Sequence, residues 1–533
     1  MPEQRSFSPD ERSGHTPTTD VDELTGALRQ PEAYPHETGV VGFRQTQMSL
    51  LFFAGDFVYK IKKPVNLGYV DYTSFEARHH FCKREVELNR RLCPEAYLGV
   101  VAVTRCRGRV RVEEGGNIVE HAVKMRRLPE ELMLDYLLTG GMATVPMMHT
   151  IASRVASFHT HAASSPDIAA FGSVPAIRYN TEENFQQTLA GINQIVTRTN
   201  HSLLREYANN FLDTHATLVA GRAREGKIRD CHGDLHAAHV CMTDEVCIYD
   251  CIEFNDRFRY GDVASEVAFL AMDLDRFRRH DLSQEFVDSY ADISRDSRIV
   301  ELMRFYKCYR SVVRGKVEGF KLSDRKIPEE EKRKALWLAR TYFHLAISYA
   351  TGQGLLIIMS GLTGSGKSAI AEELGSLLAG TVISSDVVRK ELAGLPADQH
   401  SYESFGQGIY STEWTQQTYG EMLRQAQQVL STGHCAILDA SFLSSTERIR
   451  ALATAKQQHA RALLIECTAP YDLLRERVIQ RRTGATVSDA RPEILEGQIE
   501  TRDPVTEFAS ADHIRVDTTR NVEAILEDLW PQL

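Results

Sequence analysis

With 533 residues, 43% of them apolar and 25% charged, the chain is too long for one ordinary core, and roughly two to four globular domains are expected. The net charge of −10 and the pI near 6.0 argue against a dedicated nucleic-acid binder, whose phosphate contacts need a basic surface. No apolar run reaches the ~18 residues that a membrane span needs, and the ten cysteines form no C-x-x-C pair, so neither a membrane partner nor a thiolate zinc site is expected. Without a signal-peptide pattern, free thiols in a cytoplasmic protein are the simplest reading.

Residues 1–20 are polar and rich in Ser, Thr, Pro and charge, which predicts a disordered tail. Ser49–Phe53 and Asp56–Lys62 are β-like runs separated by Ala54-Gly55, a hairpin signal. Ser74 to Leu92 reads as a helix with Ser74 as its cap. Further strands are predicted at Val100–Thr104, Arg109–Glu113 and Ile118–Met125, and residues 130–225 read as mainly helical.

The segment from Lys227 to Asp273 changes to strand, polar loop, strand, loop and helix. His232 and Asp234 lie in the first loop, and the apolar run Val246–Tyr249 leads to Asp250. Two loop carboxylates joined by a short hairpin can face one cleft, one as a base and the other as a metal ligand. This segment resembles the catalytic loop of aminoglycoside phosphotransferases and the related choline and eukaryotic-like kinases, H-x-D-x-x-x-x-N followed by a metal-binding Asp. The resemblance implies a two-lobed protein-kinase-like domain with Asp234 in the catalytic position and Asp250 in the metal position. Upstream, Lys60 resembles the nucleotide-binding strand lysine and Glu85 its helix partner, with Lys62 and Glu87 as alternatives; Met125 to Leu128 falls where the inter-lobe hinge would lie. Asp262 resembles the aspartate that supports the catalytic loop. One position departs from the pattern: the family's second metal ligand, an Asn, is His239 here. Imidazole is a poor ligand for Mg²⁺, so either His239 points elsewhere and one metal suffices, or this lobe binds nucleotide with weak transfer. A zinc site at His232, His236 and His239 is disfavoured by the loop spacing and the kinase-like flanks.

Leu282 to Gly352 is again helical, and Glu329–Ala350 reads as a long amphipathic connector ended by Thr351-Gly352-Gln353-Gly354. The apolar run Leu355–Ser360 then reads as a buried parallel strand, followed by Gly361-Leu362-Thr363-Gly364-Ser365-Gly366-Lys367-Ser368, a complete G-x-x-x-x-G-K-[ST]. Ala369–Leu378 is helix-forming. Strand, loop and helix in this order make a cradle in which the backbone around Gly361, Thr363, Gly364, Ser365 and Gly366 holds phosphates, Lys367 reaches the β/γ-phosphates and Ser368 ligates Mg²⁺. Strands at Thr381–Ser385, Cys435–Leu438 and Ala462–Glu466 continue a βαβ pattern. Asp386 follows the second strand, where an acid points into the ligand crevice and can take the proton of an attacking hydroxyl; Arg389 is placed to bind an anionic substrate group. Asp439 ends the next strand at a Walker-B-like position for Mg²⁺. Arg475, Arg477, Arg481 and Arg482, with the polar stretch Thr483–Arg491, suggest a mobile lid.

Residues 355–533 resemble the small P-loop kinases that include gluconate kinase, zeta-type kinases and the kinase domain of polynucleotide kinase. The D-x-x-R after the second strand is similar to the polynucleotide kinase type, which implies Asp386 as general base, Arg389 as a substrate-phosphate contact, and Arg477 and Arg481 as lid arginines. The whole order resembles bacterial fusions of an aminoglycoside-phosphotransferase-like domain with a P-loop kinase domain. The expected layout is a tail at 1–20, a kinase-like α+β domain with a helical extension at 38–350, and an α/β P-loop domain with a parallel sheet at 351–533. The expected activity is Mg²⁺-dependent transfer of phosphate from ATP to a hydroxyl of a small metabolite. The kinase-like domain would be a second phosphotransferase or a nucleotide-binding regulator. An ATP-hydrolysing switch and a nucleic-acid 5′-hydroxyl kinase are the alternatives.

Overall fold

The computed structural model describes residues 20–396, 408–481 and 492–533. All but the last residue of the expected tail, together with Arg482 and the lid stretch Thr483–Arg491, lie outside the described residues. The chain packs as two compact units. The first runs up to Phe171 and adds Gly226–Glu266 and Asp292–Arg295. The second comprises Gly172–Glu225, Val267–Ala291 and Asp296–Leu533.

In the first unit, six antiparallel strands are ordered β1-β2-β3-β6-β4-β5. They are β1 (Gly42–Gln45), β2 (Ser49–Ala54), β3 (Phe57–Lys62), β4 (Tyr97–Cys106), β5 (Arg109–Val112) and β6 (Asn117–Arg126). The β2–β3 hairpin forms where the sequence predicts it and turns at Gly55, whose φ of +60° suits a residue without Cβ. Strand alternation sorts β3: Tyr59 and Ile61 join Leu50, Phe52 and Val103 in one core, together with Leu24 and Leu28 of the Val21–Leu28 helix. Lys60 and Lys62 take the opposite face, where the Phe75–Asn89 helix brings Glu85 to meet them. That helix begins as predicted, the Ser74 hydroxyl accepting the Ala77 N–H at 3.0 Å. After the helix at Val145–His161, β7 (Ile228–Asp230) pairs with β10 (Tyr260–Asp262), and the hairpin of β8 (Val240–Cys241) and β9 (Cys247–Ile248) lies between them in sequence.

The cysteines are not all free thiols. Cys93, past the end of the Phe75–Asn89 helix, and Cys247 on β9 are joined in a disulfide with their Cα atoms 4.7 Å apart. Both sit in an apolar cluster with Cys82, Val86, Tyr97 and Val123. The pairing links residues 154 apart in the chain, a proximity that only the tertiary fold creates.

In the second unit, five parallel strands are ordered β12-β13-β11-β14-β15. They are β11 (Leu355–Ser360), β12 (Thr381–Ser384), β13 (Cys435–Asp439), β14 (Arg461–Thr468) and β15 (His513–Asp517). Leu355, Ile357 and Met359 enter the core on one face of the sheet and Leu356 and Ile358 the core on the other, which is why this strand reads as an unbroken apolar run. Strand order reverses at β11, so the loop after it opens at the topological switch point. The Glu329–Thr351 helix is capped by Gly352 at φ +63°. Its Trp337 packs on one face of the sheet core, and its Arg340 pairs with Glu527 at 2.9 Å.

Candidate functional site

The phosphate-binding loop has the expected setting: β11, residues 361–366, then the helix Lys367–Leu377. Gly364 and Gly366 have φ of +83° and +82°, and a Cβ on Gly364 would stand 2.7 Å from the Leu474 carbonyl oxygen. The loop therefore needs glycine both for its backbone conformation and for its close approach to the neighbouring chain. Lys367 curls back over the loop, its Nζ donating to the Leu362 carbonyl at 3.0 Å and the Ser365 hydroxyl at 3.4 Å. Ser365 is buried and Ser368 is exposed. The Thr363 N–H donates to Gln498 Oε1 at 2.8 Å, a contact from the Pro492–Thr501 helix that sequence reasoning missed. Gln498 carries no motif that would have marked it.

The register of the sheet brings the acids to the same edge. Asp439, the last residue of β13, lies opposite Met359 of β11 and Ser384 of β12, and it is buried. Asp386 follows two residues after Ser384, in the first turn of the Ser385–Leu392 helix, and is half-buried. Ser368 and Asp439 both offer oxygen, the hard donor that suits Mg²⁺. Arg389 is buried in the same helix, donating to the Ile409 carbonyl at 2.8 Å and the Thr415 hydroxyl at 3.4 Å. Arg477 reaches the loop itself, donating to the Gly364 carbonyl at 3.4 Å and the Thr518 carbonyl at 2.7 Å. Arg481 closes the same helix, Tyr471–Arg481.

The first unit holds a second constellation. Lys60 Nζ lies 2.5 Å from Asp250 Oδ1 and 2.8 Å from Glu85 Oε1. Lys62 bonds the other oxygen of Glu85 at 2.7 Å and also pairs with Glu253, which accepts the Tyr72 hydroxyl at 2.6 Å. The two lysines thus share Glu85, but Lys60 is the one that pairs with Asp250, while Lys62 is sealed behind it at 1% exposure. Burial works to raise the Asp250 carboxyl, and Lys60 and His239 overcome it and hold it well below the usual range. Burial likewise works against the charged form of Lys60, but Asp250 and Glu85 keep its ammonium protonated far into alkali. Asp250 has φ +62°, a left-handed backbone two residues past β9.

His239, the residue in place of the expected Asn, spans the two acids. Its Nδ1 bonds the Asp234 carbonyl at 2.9 Å and its Nε2 lies 3.7 Å from Asp250 Oδ2. The His236 ring lies tilted at 35° to it with centroids 3.9 Å apart, and its Nε2 is 3.5 Å from Asp234 Oδ2. Structure therefore brings Asp234, His239 and Asp250 together, and the imidazole points between the carboxylates rather than elsewhere. Glu266 braces the loop: it accepts the N–H groups of His232 and Gly233 at 2.9 and 2.6 Å and meets His159 at 2.8 Å. Asp262 accepts the Ala264 N–H at 2.9 Å, at the start of the Val263–Arg276 helix. Burial works to raise the Glu266 carboxyl, and these hydrogen bonds and the charge of His159 overcome it and hold it at about 2. Burial drives the His232 imidazole down to about 4, so it stays neutral, its Nε2 on the Tyr249 carbonyl at 3.0 Å.

Residues 356–505 match the family model described as an AAA domain, which supports a phosphotransferase or nucleotide-binding role for that part of the chain. Among solved structures, similarity extends to a choline/ethanolamine kinase family protein from Mesorhizobium loti, 13% identical over 62% of this chain and 99% of that one with a TM-score of 0.38. It extends also to a gluconokinase from Sinorhizobium meliloti 1021, 18% identical over 33% of this chain and 89% of that one with a TM-score of 0.24. Two relatives span nearly the full length: the uncharacterized proteins Rv2004c of Mycobacterium tuberculosis H37Rv and Mb2027c of Mycobacterium bovis. Each is 32% identical over 455 residues, covering 85% of this chain and 88% of the relative. The chain belongs to the family of these mycobacterial proteins, with a P-loop domain of the AAA description at residues 356–505.

Proposed function

We propose that the second unit is an ATP-dependent kinase acting on a hydroxyl group of a small metabolite. The observation that carries this reading is the register of β11, β13 and β12, which sets the phosphate loop, Asp439 and the Asp386 turn along one edge of the sheet. Bound ATP would lay its phosphates on the loop amides and the N-terminus of the Lys367–Leu377 helix. Lys367 would leave the Leu362 carbonyl for the β/γ-phosphates, and Ser368 and Asp439 would hold Mg²⁺, which neutralises charge on the phosphates during transfer. Asp386 would accept the proton of the acceptor hydroxyl. Arg389 and Arg477 already donate to carbonyls, so an anionic substrate would have to draw Arg389 from Ile409. Arg481 extends the same basic helix.

For the first unit we propose a nucleotide site in which Lys60, held by Glu85, contacts phosphate, Asp250 holds the metal and Asp234 is the catalytic acid–base. Its donor set is less suited to Mg²⁺, because His239 Nε2 rather than an oxygen faces Asp250. This favours one Mg²⁺ at Asp250 and slow or regulatory use of the site. The protein is proposed to be cytoplasmic; among the described residues no helix is long and apolar enough to cross a membrane. The net charge of −10 weighs against nucleic acid as acceptor.

Asp386→Asn tests the chemistry. ATP binding to the second unit is expected to survive, while acceptor-dependent transfer falls by about two to four orders of magnitude. Equal loss of binding and transfer would make Asp386 a structural residue. ATP turnover that no sugar, metabolite or nucleic-acid end accelerates would favour the ATP-hydrolysing switch.

A further inference from the structure

The second unit also buries a cluster that its proposed kinase chemistry does not use. Asp275, on the Val263–Arg276 helix, is 1% exposed. His280 opens the His280–Ser294 helix, and its Nδ1 bonds Asp275 Oδ1 at 2.9 Å. His434 stands one residue before β13, and its ring stacks on that of His280 with centroids 3.7 Å apart. Lys307 and the Tyr349 hydroxyl donate to Asp275 Oδ2 at 2.9 and 2.5 Å.

The protons of the two imidazoles can be assigned from their partners. A carboxylate only accepts, so His280 carries its proton on Nδ1. His434 Nδ1 lies 2.8 Å from the Thr432 hydroxyl, and that hydroxyl already donates to the Val429 carbonyl at 2.7 Å. The Thr432 oxygen is therefore the acceptor, and His434 too carries its proton on Nδ1. Both Nε2 atoms are buried, and neither has a hydrogen-bond partner among the described residues; in the neutral imidazoles each holds a lone pair. His434 Nε2 lies 3.6 Å from Asp275 Oδ2, so a lone pair faces a carboxylate oxygen across a gap too wide for a hydrogen bond. A cation between the two atoms would give both a partner.

We propose that Asp275, His280 and His434 form a binding site for a divalent transition metal of the zinc class. One donor atom from each residue lies within 4.8 Å of the others. Two ligands ~2.1 Å from a zinc ion and 3.6 Å apart subtend about 118°, close to a tetrahedral angle. Fixing a ligating imidazole by donating its other N–H to a carboxylate is the usual outer support of such sites, and His280 has that support in Asp275. Imidazole nitrogen selects zinc, cobalt or nickel over Mg²⁺. Lys307 competes for the same carboxylate oxygen, and its second anchor, the Ser283 hydroxyl at 2.9 Å, gives it a place to stay when the metal binds. The ion would clamp the His280–Ser294 helix to the entry of β13, the strand that ends at Asp439.

The test is a Co²⁺ titration of tag-free full-length protein, followed by its visible d–d bands, with equilibrium dialysis against Zn²⁺. It is run in wild type and in a His239→Ala background that silences the N-terminal histidines. The expected result is one high-affinity ion per chain in both, with tetrahedral Co²⁺ bands that His434→Gln and His280→Gln abolish. Lys307→Gln removes the competing ammonium and should tighten binding at least tenfold. Absence of the bands from wild type, or bands unchanged in His434→Gln, overturns the proposal. Weaker rather than tighter binding in Lys307→Gln also overturns it. The wild-type titration and the Lys307→Gln variant keep the test decisive even if a histidine variant fails to fold.

Discussion

Lys60 and Lys62 lie two residues apart on one strand face and bond the same glutamate, yet their surroundings give them different work. Lys60 meets Asp250, a residue of the proposed metal site, while Lys62 is enclosed with Glu253 and Tyr72. Lys60→Met should weaken nucleotide binding to the first unit, read in a Lys367→Ala background that silences the phosphate loop, with a modest effect on stability. Lys62→Met leaves Glu85 and Glu253 short of a buried counter-charge and should destabilise the unit by about 3–5 kcal/mol in chemical denaturation. The reverse pattern would make Lys62 the nucleotide lysine. The sequence left this pair open because both lysines have the same strand parity, and only the third dimension tells which one faces Asp250. Glu266 was illegible for a similar reason: it braces His232 and Gly233 from more than thirty residues away, and nothing in the local sequence marks it.

At the scale of elements, the most legible ones are those whose sequence pattern and final burial agree. The β2–β3 hairpin, the Ser74-capped helix, and β11 with its loop all follow from apolar periodicity and turn chemistry, and the structure has each of them. β1 was not read, because its four residues are nearly all exposed and carry no alternation. The Val21–Leu28 helix was not read either; it follows a tail-like stretch and owes its place to packing on the sheet. The phosphate loop is an element whose geometry tolerates no side chain at Gly364. Gly364→Ala combines a positive φ with a Cβ 2.7 Å from a backbone oxygen that cannot swing aside. It should cost about 1–3 kcal/mol of stability and weaken ATP binding to the second unit at least tenfold. ATP affinity equal to wild type, measured with a fluorescent analogue, would show that the loop is not the nucleotide cradle.

Across the whole molecule, buried neutral histidines tie folding to pH in both units. Burial holds His232 and His121 of the first unit, and His344 of the second, at about 4 against an ordinary 6.5. The unfolded chain takes up these protons first as pH falls, so stability is full above pH 6.5 and is lost on the way down to 4. A fully buried imidazole contributes on the order of 3 kcal/mol to that loss. Urea midpoints should fall steadily from pH 7 to 4.5; midpoints flat across that window would mean these imidazoles are open to solvent. The central claim is that the second unit transfers phosphate from ATP to a hydroxyl acceptor while the first holds a separate nucleotide site. It is tested most directly by acceptor-stimulated ATP turnover across a panel of hydroxylated metabolites in wild type, Lys367→Ala and Asp234→Ala. The account predicts that one acceptor class stimulates wild type, that Lys367→Ala abolishes the stimulation, and that Asp234→Ala keeps it. Stimulated turnover that survives Lys367→Ala would contradict it.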